Sequence, residues 1–227
     1  MNMNNMNNKN NMNNMNIYSL NNKDRLQNEY NDLYFNGIPD IGYIIKDLNQ
    51  RERETFLIWN WDLTNFYLNS GIDTGFTLSL INNNLYEWKF TLKGPKDSPY
   101  SGGFFYLKAT FPKDYPLKSP EISFITPIYH LQVNYCKIPI QGAEQLGHIS
   151  NPILNCWKSE TKMKEVIASI FVLFFLDNPD CPYGFDRAKL YRNNNSLFRK
   201  RIQYFIKKYA STHEYKEYSK WDFSCPE

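Results

Sequence analysis

The side chains that could perform covalent chemistry in this chain are concentrated between residues 130 and 181. Ser150 lies in the run Gly-His-Ile-Ser-Asn-Pro-Ile-Leu at residues 147–154, and His148 is two positions before it. A serine attacks a carbonyl group only when a neighbouring base takes its proton. No Asp follows His148 at a spacing typical of a catalytic triad, and closeness in sequence does not show that Ser150 and His148 have the geometry of a triad. We therefore interpret His148 as a loop histidine.

Cysteines offer a second type of nucleophile, because a thiolate is accessible near neutral pH. They have no Cys-x-x-Cys spacing, so the usual zinc sites are excluded, and we expect neither a metal nor a cofactor. No charged-then-apolar signal segment is present at the N-terminus. We therefore expect reduced thiols in a cytosolic or nuclear protein. The four cysteines are Cys136, Cys156, Cys181 and Cys225.

Composition limits the classes of partner. The 227 residues carry a formal net charge of +3, which does not by itself indicate nucleic acid. The longest apolar run, residues 167–176, is about half of what spans a bilayer, so we expect no membrane partner. The basic residues at 199–201 and 207–208 are interpreted as a solvated helix face.

The elements that must position these side chains begin after an Asn- and Met-rich tail, residues 1–22, which we expect to be disordered. Apolar residues at steps of three and four predict a helix from Lys23 to Phe35, which Gly37 ends. Residues 38–74 are rich in aromatic side chains. We interpret them as an ordered insertion that packs on the domain, and the alternative is a docking surface for a partner.

From Gly75 the apolar period changes to two, as in strands with one buried face. Strands are predicted at 76–80, 86–92, 104–111 and 121–125. Short turns between them predict an antiparallel meander. A buried helix is predicted at 163–174, and further helices at 187–191 and 196–209. This order predicts an α+β domain over residues 23–212, with a second insertion at 131–146 and a C-terminal tail at 213–227.

Several motifs of this domain combine Gly, Pro and aromatic residues at spacings that rarely occur by chance. Residues 94–103 read Gly-Pro-Lys-Asp-Ser-Pro-Tyr-Ser-Gly-Gly, and residues 111–120 read Phe-Pro-Lys-Asp-Tyr-Pro-Leu-Lys-Ser-Pro. His130, Trp157 and Pro179 follow in the expected order. On these motifs the chain resembles the ubiquitin-conjugating enzyme family. The resemblance implies the UBC fold, with an N-terminal helix, a four-stranded meander, a central helix and C-terminal helices.

The resemblance also implies where the chemistry would lie. In the family a cysteine follows the Gly-x-Ile run and carries ubiquitin as a thioester, and here that position is Ser150. The family's His-Pro-Asn reads His-Leu-Gln, so Gln132 stands in place of the oxyanion-stabilising Asn, displaced by one methylene group. In the loop after the central helix, Asp180 keeps one of two acidic positions and Cys181 replaces the other.

These departures together favour a natural loss of thioester chemistry, whereas a lone Cys-to-Ser exchange would be typical of an engineered trap. The leading hypothesis is a catalytically impaired variant that binds ubiquitin, a ubiquitin-like protein, an active conjugating enzyme or a ligase, as inactive members of the family do. One alternative is an active enzyme with a displaced thiol at Cys181, Cys156 or Cys136, each otherwise interpreted as a buried or incidental thiol. Another is an adaptor whose 38–74 insertion docks an unrelated partner.

The resemblance places the surface for RING-type ligases on the first helix and on two loops. Leu117 supplies the apolar contact that a Phe often makes in the family. Lys158, Ser159 and Glu160 stand where the family commonly has Ser-Pro-Ala. We therefore expect ligase binding to be weakened or retuned.

Overall fold

The computed structural model describes residues 22–38, 75–135, 146–175, 179, 183–218 and 221–224. The predicted tail before residue 22, most of the insertion at 38–74 and residues 136–145 of the second insertion lie outside them. Helix α1 spans residues 22–36. The other elements are β1 (Thr77–Ile81), β2 (Asn84–Lys93), β3 (Phe104–Thr110), β4 (Glu121–Phe124), α2 (Pro152–Asn155), α3 (Met163–Val172), α4 (Phe185–Asn193) and α5 (Asn195–Phe205), which continues as a π-helical turn (Ile206–Ala210).

The strands form one antiparallel sheet in the order β1-β2-β3-β4. A two-residue loop joins β1 to β2, and both loop residues, Asn82 and Asn83, have positive φ angles of 50° and 56°. Asn tolerates this conformation, and such a loop matches the twist of a hairpin. The predicted meander and the α+β class are confirmed.

The inner face of the sheet carries the alternating apolar residues. Trp88, Phe90 and Leu92 of β2 are fully buried. They lie opposite Ala109, Leu107 and Phe105 of β3, which are buried on the same face. A large apolar side chain contributes about 1.5–3 kcal/mol when it leaves water. A strand shifted by one residue would turn all of these side chains to the other face, so the period of two fixes which face is buried.

Two helices cover this inner face. On α1, Tyr30 contacts Trp88 with ring centroids 5.5 Å apart. After α3, Phe174 packs 5.1 Å from Phe105 and 6.3 Å from Phe124. Helix α3 is buried along most of its length, because its apolar residues recur almost all round the helix. None of the described helices combines the length and the apolar character needed to cross a membrane.

The C-terminal segment packs against the outer face of the sheet, although its sequence has no clear period. The His213 ring lies 3.6 Å from that of Phe104, and Tyr215 lies 5.3 Å from Tyr106. The Lys89 ammonium group lies 4.2 Å from the centre of the Tyr215 ring. The outward side chains of β2 and β3 are therefore covered by residues that the sequence analysis separates from the domain.

Candidate active site

Backbone hydrogen bonds hold the Ser150 run as a short extended segment between two others. Val133 pairs with Ile149, and Ser123 pairs with His148. The Ser150 N–H donates to the Gln132 carbonyl at 2.9 Å, and the Asn134 N–H donates to the His148 carbonyl at 2.8 Å. The segment that carries Gln132 and the one that carries Ser150 thus lie side by side.

Gly147 is required where this run begins. Its φ angle is +83°, which side chains disfavour, and a Cβ atom there would lie 2.1 Å from the Phe124 carbonyl oxygen. The Gly147 carbonyl accepts from the Phe124 N–H at 2.9 Å. The run is therefore fastened to β4 at a distance that only glycine permits.

Asn151 fixes the other side of Ser150, and the sequence analysis missed this role. It is fully buried, and its Oδ1 accepts from the Ile153 and Leu154 N–H groups, so it caps α2. Its Nδ2 donates to the Ser169 hydroxyl on α3 at 2.9 Å. An Asn directly before Pro152 is a typical helix start, so the signal for this short helix was present in the sequence.

His130 organises the neighbouring segment. The residue is 1% exposed, and its Nδ1 accepts from the Gln132 N–H at 3.0 Å. The proton therefore resides on Nε2, which donates to the Leu173 carbonyl at 2.9 Å. The Gln132 N–H is bound by His130 and its carbonyl by the Ser150 N–H, and the residue is 5% exposed. His130 acts here as a structural clamp.

Ser150 has no base in the described part of the chain. The residue is half-buried, and its hydroxyl makes no hydrogen bond with any residue described there. Burial lowers the pKa of His148, against the opposing effect of the Glu121 charge. The His148 ring contacts Tyr183 edge-on, with centroids 6.2 Å apart. Among the described residues, no side chain is therefore placed to take the proton of the hydroxyl.

Two loops meet beside α1. The Trp157 Nε1–H donates to the Pro116 carbonyl at 2.7 Å, and the Trp157 ring lies 5.7 Å from Tyr115. Leu117 is 71% exposed on this surface. The three residues after the tryptophan, Lys158, Ser159 and Glu160, are also exposed. We call this surface, made of Leu117 and residues 157–160, the loop platform.

Comparison with known proteins gives consistent results. The family model described as "Ubiquitin-conjugating enzyme" matches residues 66–206. The chain belongs to the ubiquitin-conjugating enzyme family. A probable ubiquitin-conjugating enzyme of Arabidopsis thaliana, E2 31, is 33% identical over 136 residues, which are 60% of this chain and 82% of that protein. A probable ubiquitin-conjugating enzyme of Acanthamoeba polyphaga mimivirus, E2 L460, is 33% identical over 137 residues, which are 60% of this chain and 80% of that protein.

The solved structures agree with this assignment. The E2 domain of a ubiquitin conjugating enzyme from Toxoplasma gondii aligns with a TM-score of 0.53 at 26% identity, over 60% of this chain and 90% of that domain. The UBC fold is thus confirmed. Membership implies partners of the ubiquitin pathway in general, namely ubiquitin, an activating enzyme and a ligase.

Of the three candidate thiols, the structure describes Cys156. Cys156 is the C-cap of α2 and is exposed, so of the two interpretations, a buried or an incidental thiol, only the incidental one fits this residue. Cys136, Cys181 and the acidic candidate Asp180 lie outside the described residues. Among the described residues, no group of three or more His, Cys, Asp or Glu side chains could hold a metal ion.

Proposed function

We propose that this chain is a catalytically impaired ubiquitin-conjugating enzyme homologue that binds a ubiquitin-pathway partner without carrying a thioester. The partner is ubiquitin or a ubiquitin-like protein, an active conjugating enzyme, or a RING-type ligase. We also propose that it acts in the cytoplasm, the nucleus or both. The observation that carries the proposal is Ser150, which stands at the position of the family's cysteine and whose hydroxyl has no base among the described residues.

The physical reason lies in the nucleophile. A serine hydroxyl has too high a pKa to attack at neutral pH unaided, and a general base typically contributes about 10²- to 10⁴-fold. The described neighbours of Ser150 supply no such base, since neither His148 nor any other described side chain forms a hydrogen bond with the hydroxyl. An ester formed on Ser150 would also be a poorer donor to an amine than a thioester.

The loop platform supports the binding part of the proposal. Leu117 is exposed although it is apolar, and the Trp157–Pro116 hydrogen bond holds the two loops together. An exposed apolar side chain framed by polar residues on a rigid base is typical of an interaction surface. Loss of the nucleophile leaves this surface unchanged, because none of its residues contributes to the backbone frame around Ser150.

One observation favours a second candidate function, an active enzyme that uses a displaced thiol. Cys156 is exposed and lies at the end of α2, six residues after Ser150. An exposed thiol could accept ubiquitin if the activating enzyme reached it. The first experiment separates the two functions.

In a charging assay with activating enzyme, ATP and ubiquitin, we expect no adduct on this chain, either with or without reductant. The reason is the missing thiol at position 150, and the readout is the gel mobility before and after reductant or mild base. An ordinary conjugating enzyme in the same tube controls for active reagents. A reductant-sensitive band that Cys156→Ser removes would establish the second candidate instead, and a base-labile, reductant-resistant band would place ubiquitin on Ser150 as an ester.

Binding to a RING domain is expected to depend on Leu117. Leu117→Asp places a charge on the loop platform and should weaken binding about 30-fold, the effect of losing about 2 kcal/mol at an anchor residue. Phe185→Asp is the matched control, because Phe185 is 88% exposed but lies on α4. Titration by calorimetry measures both variants. Equal affinities for the two variants would remove the loop platform from the proposal.

A further inference from the structure

Arg187 of α4 is a cation in the interior of the domain. It is 1% exposed, and burial lowers its pKa to about 10, so it stays charged at neutral pH. Its Nη1 donates to the His130 carbonyl at 2.8 Å, and its Nη2 is buried and forms no hydrogen bond with any described residue. A buried charge is costly unless it is compensated, so one hydrogen bond alone does not explain this residue.

Three aromatic rings surround the guanidinium group. Its central carbon lies 3.7 Å from the centre of the Tyr135 ring, and 4.5 Å from the centres of both Tyr129 and Phe223. The negative faces of aromatic rings attract a cation, most strongly where water is excluded. We call these three rings the arginine cage.

The third ring of the arginine cage comes from the C-terminal segment. Phe223 packs 4.8 Å from Phe205 of α5. Asp222 beside it forms an ion pair with Lys208 at 2.7 Å, and its carbonyl accepts from the Tyr209 hydroxyl at 3.1 Å. The neighbouring Trp221 is 6% exposed. Contacts other than those with Arg187 therefore hold residues 221–224 against the end of α5 and the π-helical turn that follows it. This places Phe223 over Arg187.

The other end of this chain of contacts is the Ser150 site. The His130 carbonyl that Arg187 binds immediately precedes the segment 131–134, which pairs with residues 147–150. The Leu173 carbonyl fixes the His130 ring, and Arg187 fixes its carbonyl. The peptide from which the Gln132 segment extends is thus held on two sides. At the end of the segment, Tyr135 donates to Asp186 at 2.8 Å, beside Arg187 in sequence.

We propose that Arg187 is a positioning residue for the Ser150 site and that Phe223 completes the cage that holds it. The segment around Gln132 takes its place against Ser150 because Arg187 fixes the His130 carbonyl. The C-terminal residues 221–224 are part of the site's support, and the site is incomplete without them. This role does not depend on which nucleophile stands at position 150, so it stands apart from the proposed loss of thioester chemistry.

Hydrogen exchange measured by mass spectrometry tests the proposal on the full chain. In Phe223→Ala, the Ser150 and Asn134 amides, which donate between the two segments, should exchange about tenfold faster, as expected for the loss of one desolvated cation–π contact. Phe223→Tyr should restore the parent rate. Tyr215→Ala is the matched control, because Tyr215 is an aromatic residue of the same segment that packs on the sheet instead. Unchanged exchange at the two amides, or an equal rise throughout β2 and β3, would overturn the proposal.

Substitutions at Arg187 provide a second test of the proposal that does not require Phe223→Ala to fold. Arg187→Met keeps the bulk and removes both the charge and the donor, so global stability can hold or rise. Exchange at the Ser150 and Asn134 amides should nevertheless quicken about tenfold, since the His130 carbonyl loses its donor. Arg187→Lys retains a donor and should fall between Arg187→Met and the parent. A methionine variant with parental exchange at these two amides would show that Arg187 only fills space.

Discussion

Ser150→Cys is expected to give a chain that an activating enzyme can charge with ubiquitin, seen as an adduct that reductant removes. The backbone frame that would present the thiol is already in place, since the Ser150 N–H and the Gln132 carbonyl are joined at 2.9 Å. A free thiol is a few per cent thiolate at pH 7 and needs no adjacent base, whereas the hydroxyl lacks about 10²- to 10⁴-fold without one. The expected increase in the charging rate is therefore at least about 100-fold.

The matched control for this substitution is Ser159→Cys. Ser159 is exposed on the loop platform, so the same chemical change there adds a thiol outside the frame around position 150. If a thiol anywhere on the surface were charged, both variants would give a band. If neither variant gives a band while an ordinary conjugating enzyme is charged in the same tube, the chain does not bind the activating enzyme productively. Its partners would then be those that act after the activation of ubiquitin.

Discharge of the adduct onto free lysine is expected to stay slow, because the oxyanion-stabilising Asn is replaced by Gln132. Gln132 is 5% exposed, and its side-chain amide is one methylene further from the backbone than that of Asn. A single oxyanion donor typically contributes about 10²- to 10³-fold to the rate. Adding Gln132→Asn to Ser150→Cys should therefore accelerate single-turnover discharge by about 100-fold. Rapid discharge with Gln132 intact would contradict this.

The fold could be predicted from the sequence because its elements have strong local patterns. The alternation of Trp88, Phe90 and Leu92 specifies a buried strand face without reference to distant residues, and their burial confirms it. Turn residues behave in the same way, since Asn82 and Asn83 favour the positive φ angles that their hairpin needs. The order of such elements then leaves few possible topologies.

The supports of the candidate site could not be predicted in this way. Arg187 and Phe223 are 36 residues apart in the sequence, and nothing in either neighbourhood indicates that they meet. The Asn151–Ser169 hydrogen bond likewise joins α2 to α3, and the sequence pattern of neither helix indicates that the two are in contact. From the sequence alone an Arg is expected at the surface, because charged side chains are almost never fully buried unless they are paired. Only the packed domain shows which rings surround it.

Glu29→Ala is expected to destabilise the domain more than any surface substitution discussed above. Glu29 lies on α1, and its side chain is 11% exposed. One oxygen pairs with Arg25, while the other accepts from the Tyr115 hydroxyl at 3.0 Å and from the Met163 N–H at 2.8 Å. The Met163 N–H is the first of α3, where a carboxylate also complements the helix dipole. Glu29 therefore joins α1, the loop before Leu117 and the central helix.

Hydrogen bonds to a charged group contribute about 1.5–3 kcal/mol each, and they do not add fully when they share an atom. We expect Glu29→Ala to lower the free energy of unfolding by about 3 kcal/mol, since it removes three such contacts and leaves the Tyr115 hydroxyl and the Met163 N–H without an acceptor. In a domain of this size the midpoint of thermal unfolding should fall by roughly 10 °C. Tyr115→Phe, which removes one of the three contacts, should cost about 1 kcal/mol.

Glu87→Ala is the matched control, because Glu87 also pairs with a cation, Lys108, but does so on the surface of the sheet. Solvent and salt screen a surface pair, so the midpoint of this variant should stay close to that of the parent. Thermal and urea unfolding of the four proteins, the parent and the three variants, give the ranking directly. If Glu29→Ala and Glu87→Ala melted at the same temperature, the contacts of Glu29 would be exchangeable with water, and the helices and the loop would be held together by apolar packing alone.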